Sequence, residues 1–348
     1  MAGKRQLILR NERMDLYKGV GIYCVIAIHV LFPGSFGMAV RVLSRFAVPF
    51  FFLTAGYFNL GATPGELKHR AVRTGLLLAG ACIPYLLLGI VLTVIRGDAL
   101  LPWLRGLISY GTIKDFIFYH TIPLPYAWQL WFLGALTMVY LFWWAIATLC
   151  AHLKRAMPYG TMAVVSVVLL AIHLGLGEGM ALSGRTLDNR ILRNAMLDGL
   201  PFFALGSWCG WRRLDIKGLS VPWHWVMVLG AAVSFAEAYF VGKQELYLGT
   251  VILLAGMMGR CIRYRRVSKG TVSAYLQLCG ELLTLPIFVI HLLVIAAFRE
   301  IPALDPVQQT GWILPPIVAL LSTVFAVMWF VIIATLREQG RKDTNKKI

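Results

Sequence analysis

Charge is scarce in this chain, and acid is scarcer still. Only 14% of its 348 residues are Asp, Glu, Lys or Arg, and 59% are hydrophobic, whereas soluble domains carry about a quarter charged and about half apolar residues. That balance argues against a water-soluble globule. The net charge of +17 would point to nucleic acid in a soluble protein. Here the basic residues fall in short loops between apolar runs, with no basic helix interleaved with stacking aromatics, so nucleic acid is not an expected partner. Cysteine is also sparse: Cys24, Cys82, Cys150, Cys209, Cys261 and Cys279 form no C-x-x-C pair and no metal-ligand spacing, so they read as small core residues. No bound cofactor and no metal is expected. A small-residue cleavage site is missing after the basic N-terminal stretch, and Asp15 and Lys18 interrupt the approach to the first apolar run, which is therefore read as a retained helix. Internal repeats, low-complexity tracts and the paired broken helices of transporters are absent too.

Long apolar runs are abundant. A bilayer core about 30 Å thick requires about 20 apolar residues per helix, and runs of that kind recur from end to end. They predict an all-α, polytopic transmembrane helical bundle of about ten spans: 16–33, 42–60, 72–95, 128–150, 160–176, 194–211, 223–241, 246–261, 276–298 and 311–336. Residues 1–337 then form a single integral membrane domain, and 338–348 a basic cytoplasmic tail. Lys and Arg positions, which did not enter that parse, test it. One set of alternate loops and the span ends beside them holds Lys4, Arg5, Arg10, Arg13, Lys18, Lys68, Arg70, Arg73, Lys154, Arg155, Arg212, Arg213, Lys217, the run from Arg260 to Lys269, and the tail from Arg337 to Lys347. The other holds fewer than half as many, among them Arg41, Arg45, Arg193 and Arg299. The bias predicts an even number of spans with both termini in the cytoplasm, in the cell membrane. The longest connection, 96–127, falls outside, and its apolar stretch 100–108 is expected to lie along the interface.

Ionisable side chains within spans are costly and commonly face a cavity, a partner or a substrate path. At 1.5 Å per helical residue, His29, Glu237 and His291 lie at a common level, roughly 20–22 Å from the cytoplasmic starts of their spans. Arg45, Asp198, Gln129 and His173 reach the same outer layer, which predicts a polar chamber in the outer half of the bundle. Each residue has a plainer reading beside this one: a helix-to-helix hydrogen bond for the histidines and carboxylates, and interfacial snorkelling for the boundary charges. On the first span, Lys18 and His29 are 11 residues apart, so they share a face within roughly 20° and stand some 16 Å apart. Lys18 is also open to reading as an ordinary cytoplasmic anchor.

Met14-Asp15-Leu16-Tyr17-Lys18-Gly19 leading to His29, the run Arg45-Phe46-Ala47-Val48-Pro49-Phe50-Phe51-Phe52 through Gly56-Tyr57, Trp131-Phe132-Leu133-Gly134-Ala135-Leu136, Pro201-Phe202-Phe203, and Gly280 through His291 resemble, in order, the acyltransferase 3 family of membrane O-acyltransferases. The family's first helix usually carries Arg where this chain has Lys18, which keeps the charge and loses the bidentate fork. Leu283 and Phe288 stand where the family has Ser and Tyr.

The resemblance implies transfer of an acyl group, by analogy acetyl, from cytoplasmic acyl-CoA as co-substrate to a hydroxyl of an envelope glycan or lipid-linked sugar. It implies His29 as general base, with acyl-histidine formation as the open alternative. Glu237 or Asp198 would orient an imidazole, and Arg45 or His291 would stabilise the oxyanion. Lys18 with Asp15, Arg70, Arg73 and Trp131 would serve substrate and CoA binding. A different class stays open beside it: transport of a small polar solute such as an amino acid, as in membrane domains associated with serine racemases. Dependence on acyl-CoA separates the two.

Overall fold

A computed structural model describes residues 10–346 apart from 186 and 269, without the side chains of 337 and 340–346. Lys4, Arg5, Lys269 and Lys347, counted above among the inward charges, lie outside the described residues. Among the described residues the chain is helical, with no strand. The principal helices are α1 (Glu12–His29), α2 (Gly34–Ser44), α3 (Ala47–Tyr57), α4 (Pro64–Ile95), α5 (Leu100–Leu107), α6 (Tyr110–Tyr119), α7 (Trp131–His152), α8 (Tyr159–Leu174), α9 (Leu200–Trp211), α10 (Trp223–Val241), α11 (Leu248–Arg263), α12 (Thr271–Leu278), α13 (Thr284–Glu300) and α14 (Leu314–Lys346). Each of the ten expected spans overlaps one or two of them.

Seven helical stretches among the described residues are long and apolar enough to cross a membrane: Gly34–Tyr57, Pro64–Ile95, Trp128–His152, Tyr159–Leu182, Trp223–Val241, Thr271–Glu300 and Leu314–Leu336. The expected spans outside that set have visible physical reasons. Helix α1 carries Glu12, Arg13, Asp15 and Lys18 within its 18 residues, and α11 has only 16 residues. The stretch before α9 begins with a π-helical turn, Ala195–Gly199, that contains Asp198. The connection 96–127 is not an extended loop, because α5 and α6 occupy most of it.

The chain divides into two compact units, Arg45–Arg266 with the segment up to Arg13, and Met14–Ser44 with Val267–Ile348. Within the larger unit, small residues let backbones approach, which matters in lipid because burying apolar surface gives no drive between helices there. A Cβ on Gly56 would overlap the Phe203 carbonyl, and one on Gly206 would overlap that of Leu53, so α3 and α9 cross in backbone contact. The Ser207 hydroxyl donates to the Gly56 carbonyl at 3.0 Å. Gly230 and Gly249 bring α10 and α11 together in the same manner, against Leu253 and Ser234. Helix α4 starts with a capping box, Thr63 and Glu66 exchanging hydrogen bonds with each other's backbone, which satisfies amides that have no intrahelical partner.

The smaller unit is assembled from residues about 250 positions apart. Tyr23 on α1 hydrogen-bonds Tyr275 on α12 at 2.5 Å and Thr323 on α14 at 2.9 Å. Gly19 faces the Leu276 carbonyl and Gly280 the Asp15 carbonyl, each so closely that a Cβ would overlap it. A π turn, Cys279–Leu283, joins α12 to α13. Such turns add a residue to the helix and re-aim the faces on either side.

Candidate active site

The smaller unit carries both histidines that the sequence singles out most strongly. His29 is the last residue of α1, where Pro33 follows and Gly34 turns the chain with φ +62° into α2. His291 lies within α13 and is fully buried. Their ring centroids are 5.3 Å apart with a 37° tilt between planes. His291 Nδ1 lies 3.1 Å from the Ile287 carbonyl. A carbonyl only accepts, so Nδ1 carries the hydrogen and Nε2 of the neutral ring is left as an acceptor. That Nε2 is buried and has no hydrogen-bond partner among the described residues.

Beside His29 lies a cavity of about 350 Å³. Ile295, Phe298 and Val318 give it an apolar side, and Arg41 from α2, Arg299 from the last turn of α13 and Gln308 give it a polar one. No carboxylate lines it. Among the described residues neither the Arg41 nor the Arg299 guanidinium has a hydrogen bond or an ion pair, Arg41 being half-buried and Arg299 exposed. Sequence reading missed all three polar residues as site residues, because the two arginines entered only as outward loop charges. The available signal was their position: both resist the inward bias of Lys and Arg.

At the other end of α1, Lys18 Nζ sits 2.7 Å from Asp15 Oδ1. Asp15 is buried at the crossing with Gly280, so the cation is held one helical turn from where α1 meets the π segment.

The remaining expected site residues belong to the larger unit. Arg45 Nη1 lies 3.1 Å from Glu245 Oε2, with both side chains 7% exposed, and Arg193 approaches the same oxygen at 3.5 Å. Asp198 is buried within electrostatic reach of Glu245, Arg193 and Arg45, and His173 Nδ1 donates to the Leu197 carbonyl at 2.9 Å. A buried polar cluster in this unit is thus real, but its central carboxylate, Glu245, was not foreseen; it follows Gly242 in a connection and reads as solvated. Glu237 accepts from the Gly249 amide at 2.9 Å and so caps the start of α11. Arg70 donates to the Asn59 side chain and, at 3.4 Å, to the Phe58 carbonyl, clamping the end of α3. Arg73 is exposed. Trp131 packs 6.4 Å from Phe52, centroid to centroid, and the neighbouring Gln129 amide donates to the Tyr85 hydroxyl at 2.5 Å.

No group of three or more His, Cys, Asp or Glu among the described residues could hold a metal. A family model described as an acyltransferase domain matches residues 11–335, which takes in both histidines and every lining residue of the cavity. No curated protein and no solved structure matches the chain.

Proposed function

The chain belongs to the acyltransferase domain family, and from that premise we propose that it transfers an acyl group, with acetyl-CoA as donor, from the cytoplasm to a hydroxyl of an envelope carbohydrate across the cell membrane. The observation that carries this reading is the pairing of His29 with His291 beside a cavity large enough for a small acceptor group. The chain crosses ten times with both termini inside, so α1 runs outward from Lys18 and ends at His29, roughly 16 Å further along.

The reaction follows from the groups at that end. His29 takes the proton of the acceptor hydroxyl, and the freed oxygen attacks the thioester carbonyl. The tetrahedral intermediate collapses with cleavage of the carbon–sulfur bond, and the leaving thiolate takes the proton back from the imidazolium. Imidazole is suited to both halves because its ordinary pKa lies near neutrality. The acyl-histidine route balances equally: His29 attacks first, CoA leaves, and the acceptor hydroxyl then displaces the imidazole. The buried, unpartnered Nε2 of His291 fits a hydrogen-bond acceptor that orients His29 or the incoming hydroxyl. Lys18 with Asp15 stands at the donor end of α1; within the larger unit, Arg70 and Arg73 are the cations expected to serve the donor, Arg73 being the exposed one, and Trp131 stays an expected substrate contact.

The test uses membranes supplied with radiolabelled acetyl-CoA and scored for alkali-labile label on envelope glycans and lipid-linked sugars. Wild type should transfer label, and His29→Ala at matched expression should lose about 10²–10⁴-fold of the rate. Equal labelling by His29→Ala would sink the proposed role of His29. Label-free wild type, with acceptor demonstrably present, would sink acetyl transfer.

A further inference from the structure

We propose that the cavity beside His29 selects an acceptor that carries its own negative charge, a carboxylate or phosphate on the sugar ring that presents the hydroxyl. The inference rests on the acyltransferase reading for the role of His29, but its core is the charge of the cavity. Arg41 and Arg299 both line it, no lining residue is acidic, and neither guanidinium has an ion pair or hydrogen bond among the described residues. The cations at the other expected sites are neutralised instead: Arg45 and Arg193 share Glu245, and Lys18 is held by Asp15. Arg41 is half-buried and Arg299 exposed, so both forks stay open to a ligand entering the cavity, and a planar guanidinium matches carboxylate and phosphate oxygens.

Size narrows the ligand further. Small-molecule pockets run from roughly 300 to 1,000 Å³, so a cavity of about 350 Å³ holds one ring rather than a chain of sugars. Ile295, Phe298 and Val318 supply a surface for the apolar face of that ring, and Gln308 can donate to or accept from a ring hydroxyl. The arginines therefore act as specificity-determining residues: they hold the charged substituent and leave a hydroxyl directed to His29.

The test has a binding arm and a transfer arm. In detergent, glucuronate and glucose 6-phosphate serve as charged probes and methyl glucoside as the neutral one, with thermal unfolding as the readout, since a ligand that binds only the folded protein raises Tm. Charged probes should stabilise wild type and methyl glucoside should not. Arg41→Gln and Arg299→Gln should each weaken the charged probe tenfold or more, and Arg41→Lys and Arg299→Lys should recover part of that loss. The lysine pair also serves if a glutamine variant fails to fold. Comparing the uronate with the sugar phosphate identifies which anion the site prefers. Equal binding of methyl glucoside, or charged-probe binding untouched by the arginine changes, would overturn the proposal. In the transfer arm, CoA release is measured against donor and acceptor concentration. The glutamine variants should raise KM for the charged acceptor and leave KM for acetyl-CoA in place; the reverse pattern would assign the arginines to the donor and overturn the proposal. Charged-probe binding without any CoA release would keep the site and remove the acyl-transfer reading, so the two failures are distinguishable.

Discussion

At the scale of single residues, the arginines divide by what neutralises them. Arg45 is buried against Glu245 at 3.1 Å, and that carboxylate also serves Arg193. Breaking a buried pair from one side leaves an uncompensated charge, at a cost of about 3–5 kcal/mol, whereas replacing both partners with apolar groups is often close to neutral. Glu245→Gln should therefore lower thermal stability far more than the double replacement Arg45→Met with Glu245→Met. If Glu245→Gln stays within the roughly 0.5 kcal/mol typical of surface changes, the pair is solvated and the buried cluster is wrong. His120 gives a pH dependence. It ends α6 with φ 56° and is buried; burial holds its imidazole below the usual value of 6.5, with a hydrogen bond to the Phe116 carbonyl opposing. Below about pH 6.5 the unfolded chain takes up a proton at this position and the folded chain does not, so stability falls as pH drops through that value. His120→Asn tolerates the left-handed backbone and removes the titration. Its Tm should change less than that of wild type between pH 7.5 and 5.5, and parallel changes would show that His120 does not titrate on unfolding.

At the scale of helices, two glycines decide whether the candidate site can form. A Cβ on Gly280 would overlap the Asp15 carbonyl, and one on Gly19 the Leu276 carbonyl. Gly280→Ala must therefore push α1 from the π segment, a kind of overpacking that costs about 1–3 kcal/mol. The displaced helix is the one that carries Lys18 and His29, so transfer should fall at least tenfold with every site side chain intact. Gly80→Ala on α4 is the control, because a Cβ there meets no atom within 4 Å and alanine favours a helix. Equal activity of the two variants would show that the crossing does not set the histidine pair. These contacts also mark the limit of sequence reading. Helix positions were legible because a bilayer dictates the length of an apolar run, and the common depth of His29 and His291 was legible because the rise per residue is constant. Close approach between Gly19 and Leu276 leaves no trace in hydropathy, and neither does the capping of α11 by Glu237, since both depend on which helices become neighbours.

At the scale of the whole molecule, length and charge give different strengths of evidence for the path through the membrane. Among the described residues seven stretches qualify as spans by length and apolarity, and the expected count of ten adds α1, the stretch that ends in α9, and α11. Each of those three is short or carries charge near one end, as expected of helices that pack against protein along much of their surface and need less lipid-facing apolar length. Lys and Arg positions support the even count independently, because dropping one span would invert every loop that follows and erase their bias. On the proposed ten-span topology Arg41 and Arg299 lie outside, where they oppose the rule at the cavity beside His29 and so carry more meaning than an inward arginine would. Cysteine labelling tests this in a background where all six native cysteines are replaced. Gln308→Cys should react with an impermeant maleimide in intact cells, and Arg155→Cys only after permeabilisation; both residues are exposed. The opposite pattern would turn the His29 cavity toward the cytoplasm. Donor and acceptor would then meet on one side, no acyl group would need to cross the bilayer, and the sugar acceptor would have to be a cytoplasmic precursor.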